Sequence, residues 1–181
     1  MSHPKVVLDE DDMRRTLVRI AHEIVEKNPD GQVALVGIHR RGAHLATRLH
    51  GLVSALLEAE LPAGEIDIAF YRDDLATREA PEVRSSHLPF RLEDHTVVLV
   101  DDVLYTGRTV RAAIDALFDY GRPGRIQLAV LADRGHRELP IRPDYVGKNL
   151  PTHRSERVNV LVTELDGADE VTITSRQEVH A

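Results

Sequence analysis

The sequence predicts an open α/β fold, in which a mostly parallel, twisted sheet carries helices on both faces. The first observation is a set of segments that are apolar throughout, as strands buried on both sides are: 32–38, 97–100 and 126–132. The second is that segments with a helical period separate them, as the connections between parallel strands require. The third is the length of 181 residues, which is enough to bury a full core and predicts one domain over residues 1–181.

The first element is an amphipathic helix over residues 9–28. Its apolar residues recur near the helical period of about 3.6, at Met13, Leu17, Ile20, Ala21, Ile24 and Val25. Asp9 is the expected N-cap, and the turn residues 28–31 end the helix.

The elements that follow alternate between strand and helix. The buried strand 32–38 passes through a charged loop into a helix over 43–60. Residues 64–71 alternate apolar and other residues, with Ile66, Ile68 and Phe70 in phase, and predict a half-exposed strand. Residues 72–95 are polar, contain two prolines and have no clean period, so we predict a lid or binding loop there.

The second half of the chain continues the alternation and closes with two more strands. Strand 97–100 precedes a helix over 109–120, which Gly121 and Pro123 end, and strand 126–132 follows. Residues 133–157 are rich in proline and glycine and predict an irregular subdomain over one edge of the sheet. Segments 158–165 and 171–176 predict the closing strands.

The composition limits the class of protein. There is no cysteine, which excludes disulfides and thiolate chemistry, and the net charge of −7 argues against a uniformly basic nucleic-acid binder. No apolar run approaches the roughly 20 residues of a membrane helix, and no signal peptide is recognisable at the N-terminus. We therefore expect a cytoplasmic protein without a membrane partner.

The stretch VVLVDDVLYTGRTVRAA, residues 97–113, carries the clearest chemical signal. Thr106, Gly107, Arg108 and Thr109 precede a helix, where backbone N–H groups and hydroxyls form an anion site. Asp101 and Asp102 would repel a phosphate placed on them, so they fit beside it, accepting hydrogen bonds from sugar hydroxyls or holding a divalent cation. The pattern favours a sugar phosphate such as ribose 5-phosphate over the alternative that these residues only cap a strand and a helix.

Four segments carry a resemblance to a known family. They are VVLVDDVLYTGRT (97–109), GIHRRGAHLA (37–46), EIDIAFYRDDL (65–75) and GRPGRIQLAVLADRGHRELPIRPDYVGKNLPT (121–152). They resemble the pyrimidine operon attenuation proteins that are also uracil phosphoribosyltransferases, the PyrR family. The resemblance covers nearly the whole chain. It implies the type I phosphoribosyltransferase fold, with a flexible lid loop at about 72–95 and a small hood subdomain formed mainly by 133–157 and the chain termini.

The resemblance also implies roles for individual residues in binding phosphoribosyl pyrophosphate (PRPP). Asp101 and Asp102 would bind the ribose hydroxyls and act in catalysis together with Arg40 and Arg41. The PRPP and UMP contacts would come from His39, Arg40, Arg41 and Gly42 at the pyrophosphate, and from Val103, Leu104, Tyr105, Thr106, Gly107, Arg108 and Thr109 at the 5-phosphate. Mg²⁺ would arrive with PRPP near Asp73 and Asp74. The base would meet Asp133, Arg134, Val146 and Thr152.

Tyr105 bears on which base is used. Purine-salvage relatives carry an acidic residue immediately before the Thr-Gly of this motif, whereas this chain has a tyrosine. Orotate enzymes use a lysine in their lid, and residues 72–95 contain no lysine. The resemblance therefore implies uracil as substrate and UMP as product. Another type I phosphoribosyltransferase with a different base remains an alternative.

The family also binds the mRNA leader of pyrimidine operons when UMP is present. Two sets of basic residues could meet RNA phosphates: Arg15, Arg19 and His22 along the first helix, and Arg154 and Arg157. A homodimer or higher homo-oligomer that paired two such stripes would form a basic concavity despite the net charge of −7. Ordinary solvated helix faces look the same, and a UMP-sensing regulator with little or no catalysis is a further alternative.

Overall fold

The computed structural model describes residues 4–72 and 85–175. In chain order the elements are β1 (Lys5–Leu8), α1 (Glu10–Lys27), β2 (Val33–Ile38), α2 (Arg41–Leu57), β3 (Ala63–Ile66), β4 (Thr96–Leu104), α3 (Arg108–Phe118), β5 (Arg125–Asp133), β6 (Tyr145–Asn149), β7 (Glu156–Leu161), α4 (Thr163–Asp166) and β8 (Glu170–Ser175).

A five-stranded sheet with the order β3-β2-β4-β5-β6 forms the centre of the molecule, and all its strands are parallel. Side chains alternate between its faces, so Val98 and Val100 of β4 pack with α1 and α2, while Val97 and Leu99 pack with α3. Both faces are covered, which is why the central strands are apolar throughout. The predicted open α/β fold with helices on both faces is confirmed.

Helix α1 begins and ends as its sequence predicts. The Asp9 carboxylate accepts from the N–H of Asp12, and the Asp12 carboxylate accepts from the N–H of Asp9, a reciprocal cap of the first turn. Asn28 ends the helix. Its buried side chain bonds to Gln127 of β5 and Tyr145 of β6, which ties this end of α1 to the sheet.

Two strand limits predicted for the main sheet are wrong. Strand β4 continues four residues past Val100, because parallel pairing with β5 runs on to Leu104 opposite Asp133, so the acidic pair lies within the strand. Strand β3 ends at Ile66, and residues 69–71 form a 3₁₀ turn in which the Ala69 N–H donates to the Asp67 side chain. Phe70, expected in phase with the buried residues, is therefore exposed.

The segment 133–157 is not irregular throughout. Tyr145–Asn149 forms β6, which pairs in parallel with β5 and becomes an edge of the main sheet. The sequence does not indicate this strand, because only its first residue, Tyr145, is fully buried, and its last two residues, Lys148 and Asn149, are exposed. The remainder of the segment, 134–144 and 150–155, connects strands.

A second, antiparallel sheet has the order β1-β8-β7. Strands β7 and β8 confirm the two predicted closing strands, but β7 ends at Leu161, and the end of the predicted segment 158–165 enters α4 instead. Strand β1, from the start of the chain, was not predicted. Leu8, Val158, Val160 and Val171 of this sheet pack into the core that also holds α1 and α2. The second sheet is thus joined to one face of the main sheet by apolar contacts.

Residues 85–95 of the predicted lid pack on the main sheet. His87 pairs with Glu65 by two backbone hydrogen bonds of 2.8 and 2.9 Å, and Leu92 is buried beside α3. Residues 73–84, with Asp73 and Asp74, lie outside the described residues, and closure of a lid there stays a prediction. Within the two described ranges, none of the helices combines the length and apolarity that spanning a bilayer demands.

Candidate active site

The loops that follow β2 and β4 meet at the carboxyl edge of the main sheet, where ligands of open α/β folds bind. A cavity of about 350 Å³ is lined by His39, Arg40 and Arg41 on one side and by Asp101 and Asp102 on the other. A second cavity of about 260 Å³ adjoins it and is lined by the loop 103–110. Asp101 lines both cavities, together with Arg72, Val103 and Thr109. The two predicted loops, 39–42 and 101–109, are therefore parts of one site, with Asp101 at its middle. Of the residues in these two loops, 41–42 belong to α2, 101–104 to β4 and 108–109 to α3.

The 101–109 loop leads directly into the N-terminus of α3. Gly107 is the N-cap with φ of 93°, a left-handed conformation that glycine adopts without steric cost. The Thr106 hydroxyl accepts from the Arg108 N–H at 3.3 Å, which closes the turn. The loop thus presents the positive end of the α3 dipole to the cavity of about 260 Å³, an arrangement that suits a phosphate.

The acidic pair is organised by its own backbone. The Asp101 carboxylate accepts from the Asp102 N–H at 2.9 Å, and the Asp102 carboxylate accepts from the Val103 N–H at 2.8 Å. Asp101 is buried, whereas Asp102 is half-buried. Burial, with the nearby Asp102 carboxylate as a further cause, raises the pKa of Asp101 well above its ordinary value. A ligand that brings hydroxyl donors or a cation would stabilise its ionised form.

Close packing holds the 39–42 loop against β4. A Cβ on Gly42 would lie 2.4 Å from the Val100 carbonyl oxygen, and a Cβ on Gly37 would lie 2.4 Å from the Ala43 Cα. The peptide bond between His39 and Arg40 is cis. Gly42 lets α2 start directly beside β4, and Gly37 lets α2 pack closely on β2, which together bring the loop to the acidic pair.

Arg40 and Arg41 differ in their surroundings. Arg40 is exposed at the rim of the cavity. Arg41 is half-buried, and its guanidinium bonds to the Asp166 carboxylate of α4 at 2.8 and 3.3 Å. Sequence reasoning did not identify Asp166, because 125 positions separate it from Arg41.

The residues predicted to receive the base are only partly brought together. Asp133 lies opposite Leu104 where β4 pairs with β5, so Asp133 and Arg134 lie beside the 101–109 loop. The Thr152 hydroxyl donates to the Arg134 carbonyl at 3.2 Å. Asp133 and Arg134 also line an open cavity of about 1010 Å³, which Val146 and Thr152 do not line. The carbonyl of Val146 instead accepts from Arg19 of α1. Val146 thus lies on the strand edge beside α1.

Arg134 stacks on Tyr105, the residue immediately before the Thr-Gly of the 101–109 loop. The Arg134 guanidinium lies 4.1 Å from the centre of the Tyr105 ring, and its Nη2 donates to the Glu156 carbonyl at 2.8 Å. The Nε of Arg134 is buried and has no hydrogen-bond partner among the described residues. The Tyr105 ring is thereby held against the connection that follows β5.

Arg137 is a functional candidate that the sequence did not single out. Its guanidinium bonds to the Tyr105 carbonyl and the Ile141 carbonyl at 2.8 Å each, and it forms an ion pair with Asp133. The N–H groups of Glu138 and Leu139 donate to the Thr106 carbonyl. The segment after β5 therefore holds the 101–109 loop in shape. No local pattern marks an arginine whose partners are backbone carbonyls.

The basic residues proposed for RNA lie on the surface, but two of them have protein partners. Arg15 pairs with Asp12 at 2.8 Å, and Arg19 pairs with Glu23 and donates to the carbonyls of Val146 and Gly147. The remaining three, His22, Arg154 and Arg157, are exposed. Arg19 thus helps to attach α1 to the edge strand β6.

The metal prediction concerned Asp73 and Asp74, which lie outside the described residues. In the part of the chain that is described, no three histidine, cysteine, aspartate or glutamate side chains stand close enough to hold a metal ion. The acidic pair at the cavity offers carboxylate oxygens, the ligand type that Mg²⁺ prefers when a phosphate supplies the rest. This donor set fits a cation that is carried in by a diphosphate.

Comparisons of the sequence and of the structure with known proteins all find phosphoribosyltransferases or PyrR proteins. Residues 7–166 match the family model described as phosphoribosyl transferase domain. The bifunctional protein PyrR of Roseiflexus sp. (strain RS-1) is 59% identical over 165 residues, which cover 90% of each chain. The bifunctional protein PyrR of Deinococcus radiodurans is 54% identical over 182 residues, 99% of this chain and 100% of the relative. Among solved structures, the hypoxanthine phosphoribosyltransferase of Trypanosoma cruzi in complex with the product IMP has a TM-score of 0.73 at 17% identity, covering 97% of this chain and 96% of that one. That likeness shows the type I phosphoribosyltransferase fold.

Proposed function

Because the chain belongs to the phosphoribosyl transferase family and, within it, to the bifunctional PyrR proteins, we propose that it transfers the phosphoribosyl group of PRPP to uracil and regulates pyrimidine genes through RNA. The products of the transfer are UMP and pyrophosphate. The observation that carries the enzymatic part is the meeting of the 39–42 and 101–109 loops around Asp101.

The two adjoining cavities match the two ends of PRPP. The 5-phosphate fits the cavity at the N-terminus of α3, where backbone N–H groups and the hydroxyls of Thr106 and Thr109 are available. The pyrophosphate fits the cavity beside Arg40 and Arg41. The ribose then spans the acidic pair, whose carboxylates accept hydrogen bonds from its 2′ and 3′ hydroxyls.

The reaction needs positioning and charge stabilisation more than a reactive side chain. Uracil N1 attacks C1 of the ribose as the C1–O bond to pyrophosphate breaks, and positive charge develops on the sugar ring. The proton of N1 is released to water or to the departing pyrophosphate. Asp101 and Asp102, which hold the ribose hydroxyls, place negative charge beside that ring. Arg40 and Arg41 stabilise the negative charge that collects on the leaving pyrophosphate. A lid at the part of segment 72–95 that lies outside the described residues would exclude water that otherwise hydrolyses PRPP.

Magnesium belongs to this proposal as the ion that PRPP carries. Bound to the diphosphate, it neutralises charge on the leaving group. Asp102, the more exposed of the acidic pair, and the predicted Asp73 and Asp74 are the residues that would face it. Their carboxylates would hold the cation that the diphosphate carries.

The enzymatic proposal is tested by measuring UMP formation from uracil, PRPP and magnesium. The Asp101→Asn/Asp102→Asn variant should lose at least about 100-fold in kcat/KM, because both ribose contacts and the charge beside the ring are removed. Asp115→Asn on α3 is the matched control, since among the described residues the Asp115 carboxylate pairs only with Arg111, at an exposed position. Wild-type turnover no faster than that of the double variant would refute the proposal.

Base specificity is tested in the same assay with a panel of bases. Uracil should be the preferred acceptor, and hypoxanthine and guanine should react far more slowly, because Tyr105 replaces the acidic residue of the purine-salvage motif. A purine preferred over uracil would favour the alternative of another type I phosphoribosyltransferase.

The regulatory part of the proposal concerns the leader RNA of a pyrimidine operon. It is supported by the exposed His22 and by Arg15 at the surface of α1, the helix that Arg19 attaches to β6. A homodimer or larger homo-oligomer would double this basic surface. A cytoplasmic location, where such RNA is made in bacteria, stays a prediction.

RNA binding is tested by a gel shift with the leader RNA, with and without UMP. Arg15→Gln should weaken the UMP-dependent shift and reduce its salt dependence by about one counterion. Arg14→Gln is the matched control, because Arg14 is equally exposed but lies off the Arg15, Arg19 and His22 stripe. A protein that shifts RNA but forms no UMP would favour the alternative of a regulator without catalysis.

A further inference from the structure

Two arginines connect α2 to segment 162–169, which joins β7 to β8. Arg41 and Arg48 stand seven residues apart on α2, which is nearly two turns of about 3.6 residues, so their side chains leave the same face of the helix. Arg48 pairs with Glu164 and Asp169. Arg41 pairs with Asp166, in the same short segment. The contact between α2 and this segment thus has two ion-pair sites.

The Arg41 site is firmly built. Oδ1 of Asp166 accepts from Arg41 Nη2 at 2.8 Å, and Oδ2 accepts from Arg41 Nε at 3.3 Å. The same Oδ2 accepts from the buried N–H of Val162 at 2.9 Å. The Val162 N–H and then the Arg41 guanidinium keep the pKa of Asp166 below its ordinary value, so the carboxylate is ionised at neutral pH. Asp166 is held from its own segment and in turn holds Arg41.

The two ion-pair sites differ in what lies next to them. Arg41 lines the cavity that also contains Arg40, Asp101 and Asp102, whereas Arg48 is not part of its wall. The bond to Asp166 uses Nε and Nη2 of Arg41, while Nη1 has no hydrogen-bond partner within residues 4–72 and 85–175. One edge of the guanidinium is therefore occupied by Asp166, and the other edge is available to an anion in the cavity.

We propose that Asp166 is a positioning residue, which holds one edge of Arg41 so that the other edge meets the pyrophosphate end of PRPP. This inference rests on the proposed function, because it takes the ligand of that cavity to be a pyrophosphate group. A free arginine side chain loses up to about 2 kcal/mol of rotamer entropy when it is ordered. Asp166 orders the side chain before the ligand arrives, so PRPP binds without that loss.

The test compares Asp166→Asn with Glu164→Gln. The Asn variant keeps an oxygen that can accept from Val162 but loses the charge that holds Arg41, and the Gln variant weakens only the Arg48 site. We expect Asp166→Asn to raise the KM for PRPP about fivefold with kcat within about twofold, because the two-oxygen ion pair with Arg41 becomes a hydrogen bond to a neutral amide. Both variants should lower the melting temperature by similar amounts, but Glu164→Gln should leave the KM for PRPP unchanged. Asp166→Glu, which keeps the charge, should bring KM back toward the wild-type value.

The outcomes separate the inference from the proposed function. Equal KM values for Asp166→Asn and Glu164→Gln would overturn the positioning role. If Arg41→Ala leaves KM unchanged while UMP is still made, Arg41 does not bind pyrophosphate, and the inference is overturned without the proposed function. If the wild-type protein makes no UMP, the proposed function fails. Calorimetric titration with inorganic pyrophosphate then decides the inference: weaker binding by Asp166→Asn than by Glu164→Gln supports it, and equal binding overturns it.

Discussion

Replacing Gly42 with alanine tests how the site is held together. Gly42 is the second residue of α2, and a Cβ there would lie 2.4 Å from the Val100 carbonyl oxygen and 3.1 Å from the Asp101 Cα. Even close contacts between carbon and a carbonyl oxygen stay at roughly 3.3–3.6 Å, so the overlap is about 1 Å. Both atoms belong to the backbone of β4, which is paired on its two sides with β2 and β5. Neither atom can shift without breaking this pairing, so α2 must move away from β4.

The expected loss of stability follows from that overlap. An extra methyl group in a packed interior costs typically about 1–3 kcal/mol. The higher helix propensity of alanine offsets up to about 1 kcal/mol of this cost. A net loss of about 1–2 kcal/mol should lower the melting temperature by about 2–8 °C in a chain of this size. Because the 39–42 loop would move away from the acidic pair, kcat/KM for PRPP should fall by about 10- to 100-fold.

Gly51→Ala is the matched control, in the same helix. Gly51 is exposed, and a Cβ there would meet nothing within 4 Å. Alanine should raise stability by about 0.5–1 kcal/mol through helix propensity and leave turnover unchanged. Thermal unfolding and UMP formation measure both variants. A Gly42→Ala protein as stable and as active as Gly51→Ala would refute the reasoning that close backbone approach positions the loop.

Three further predictions concern single side chains. Burial raises the pKa of Asp101, so the folded state keeps that proton to a higher pH than the unfolded chain does. As the pH rises above the ordinary aspartate pKa, urea unfolding should show Asp101→Asn gaining stability relative to wild type, and a constant difference would contradict this. Arg48→Met should lower the free energy of unfolding by about 1–2 kcal/mol, because two carboxylates lose their partner; unchanged unfolding would contradict it. Tyr105→Phe should keep its contact with Arg134 and wild-type uracil turnover, whereas Tyr105→Ala should lose about 0.5–2 kcal/mol of stability. Equal melting temperatures for the two would show that the stacking contributes nothing.

Much of the fold could be predicted because its signals are local. The apolar runs of β2, β4 and β5 identify strands with both faces covered, and the capped, amphipathic α1 identifies its own limits. The acidic pair before Thr-Gly-Arg-Thr likewise predicts a loop at the carboxyl end of a strand. In each case the residues that define the feature are neighbours in the chain.

The features that sequence reasoning missed depend on distant partners. Strand β6 is short and half-exposed, and it exists because the free edge of β5 pairs with it. The end of β3 at Ile66 follows from a local turn that Asp67 stabilises, which an alternating pattern does not distinguish from a longer strand. Arg137 and Asp166 have no motif of their own.

The sequence by itself determined the class of fold, and it predicted the sugar-phosphate motif and the residues at each end of the proposed ligand. Only the tertiary structure decided that Gly42 brings the 39–42 loop against β4, that Arg134 covers Tyr105, and that Asp166 holds Arg41. The physical reason is that propensity and periodicity act between near neighbours. The orientation of a charged side chain is decided instead by whichever partner the completed fold places beside it, and for Arg41 that partner lies 125 positions away.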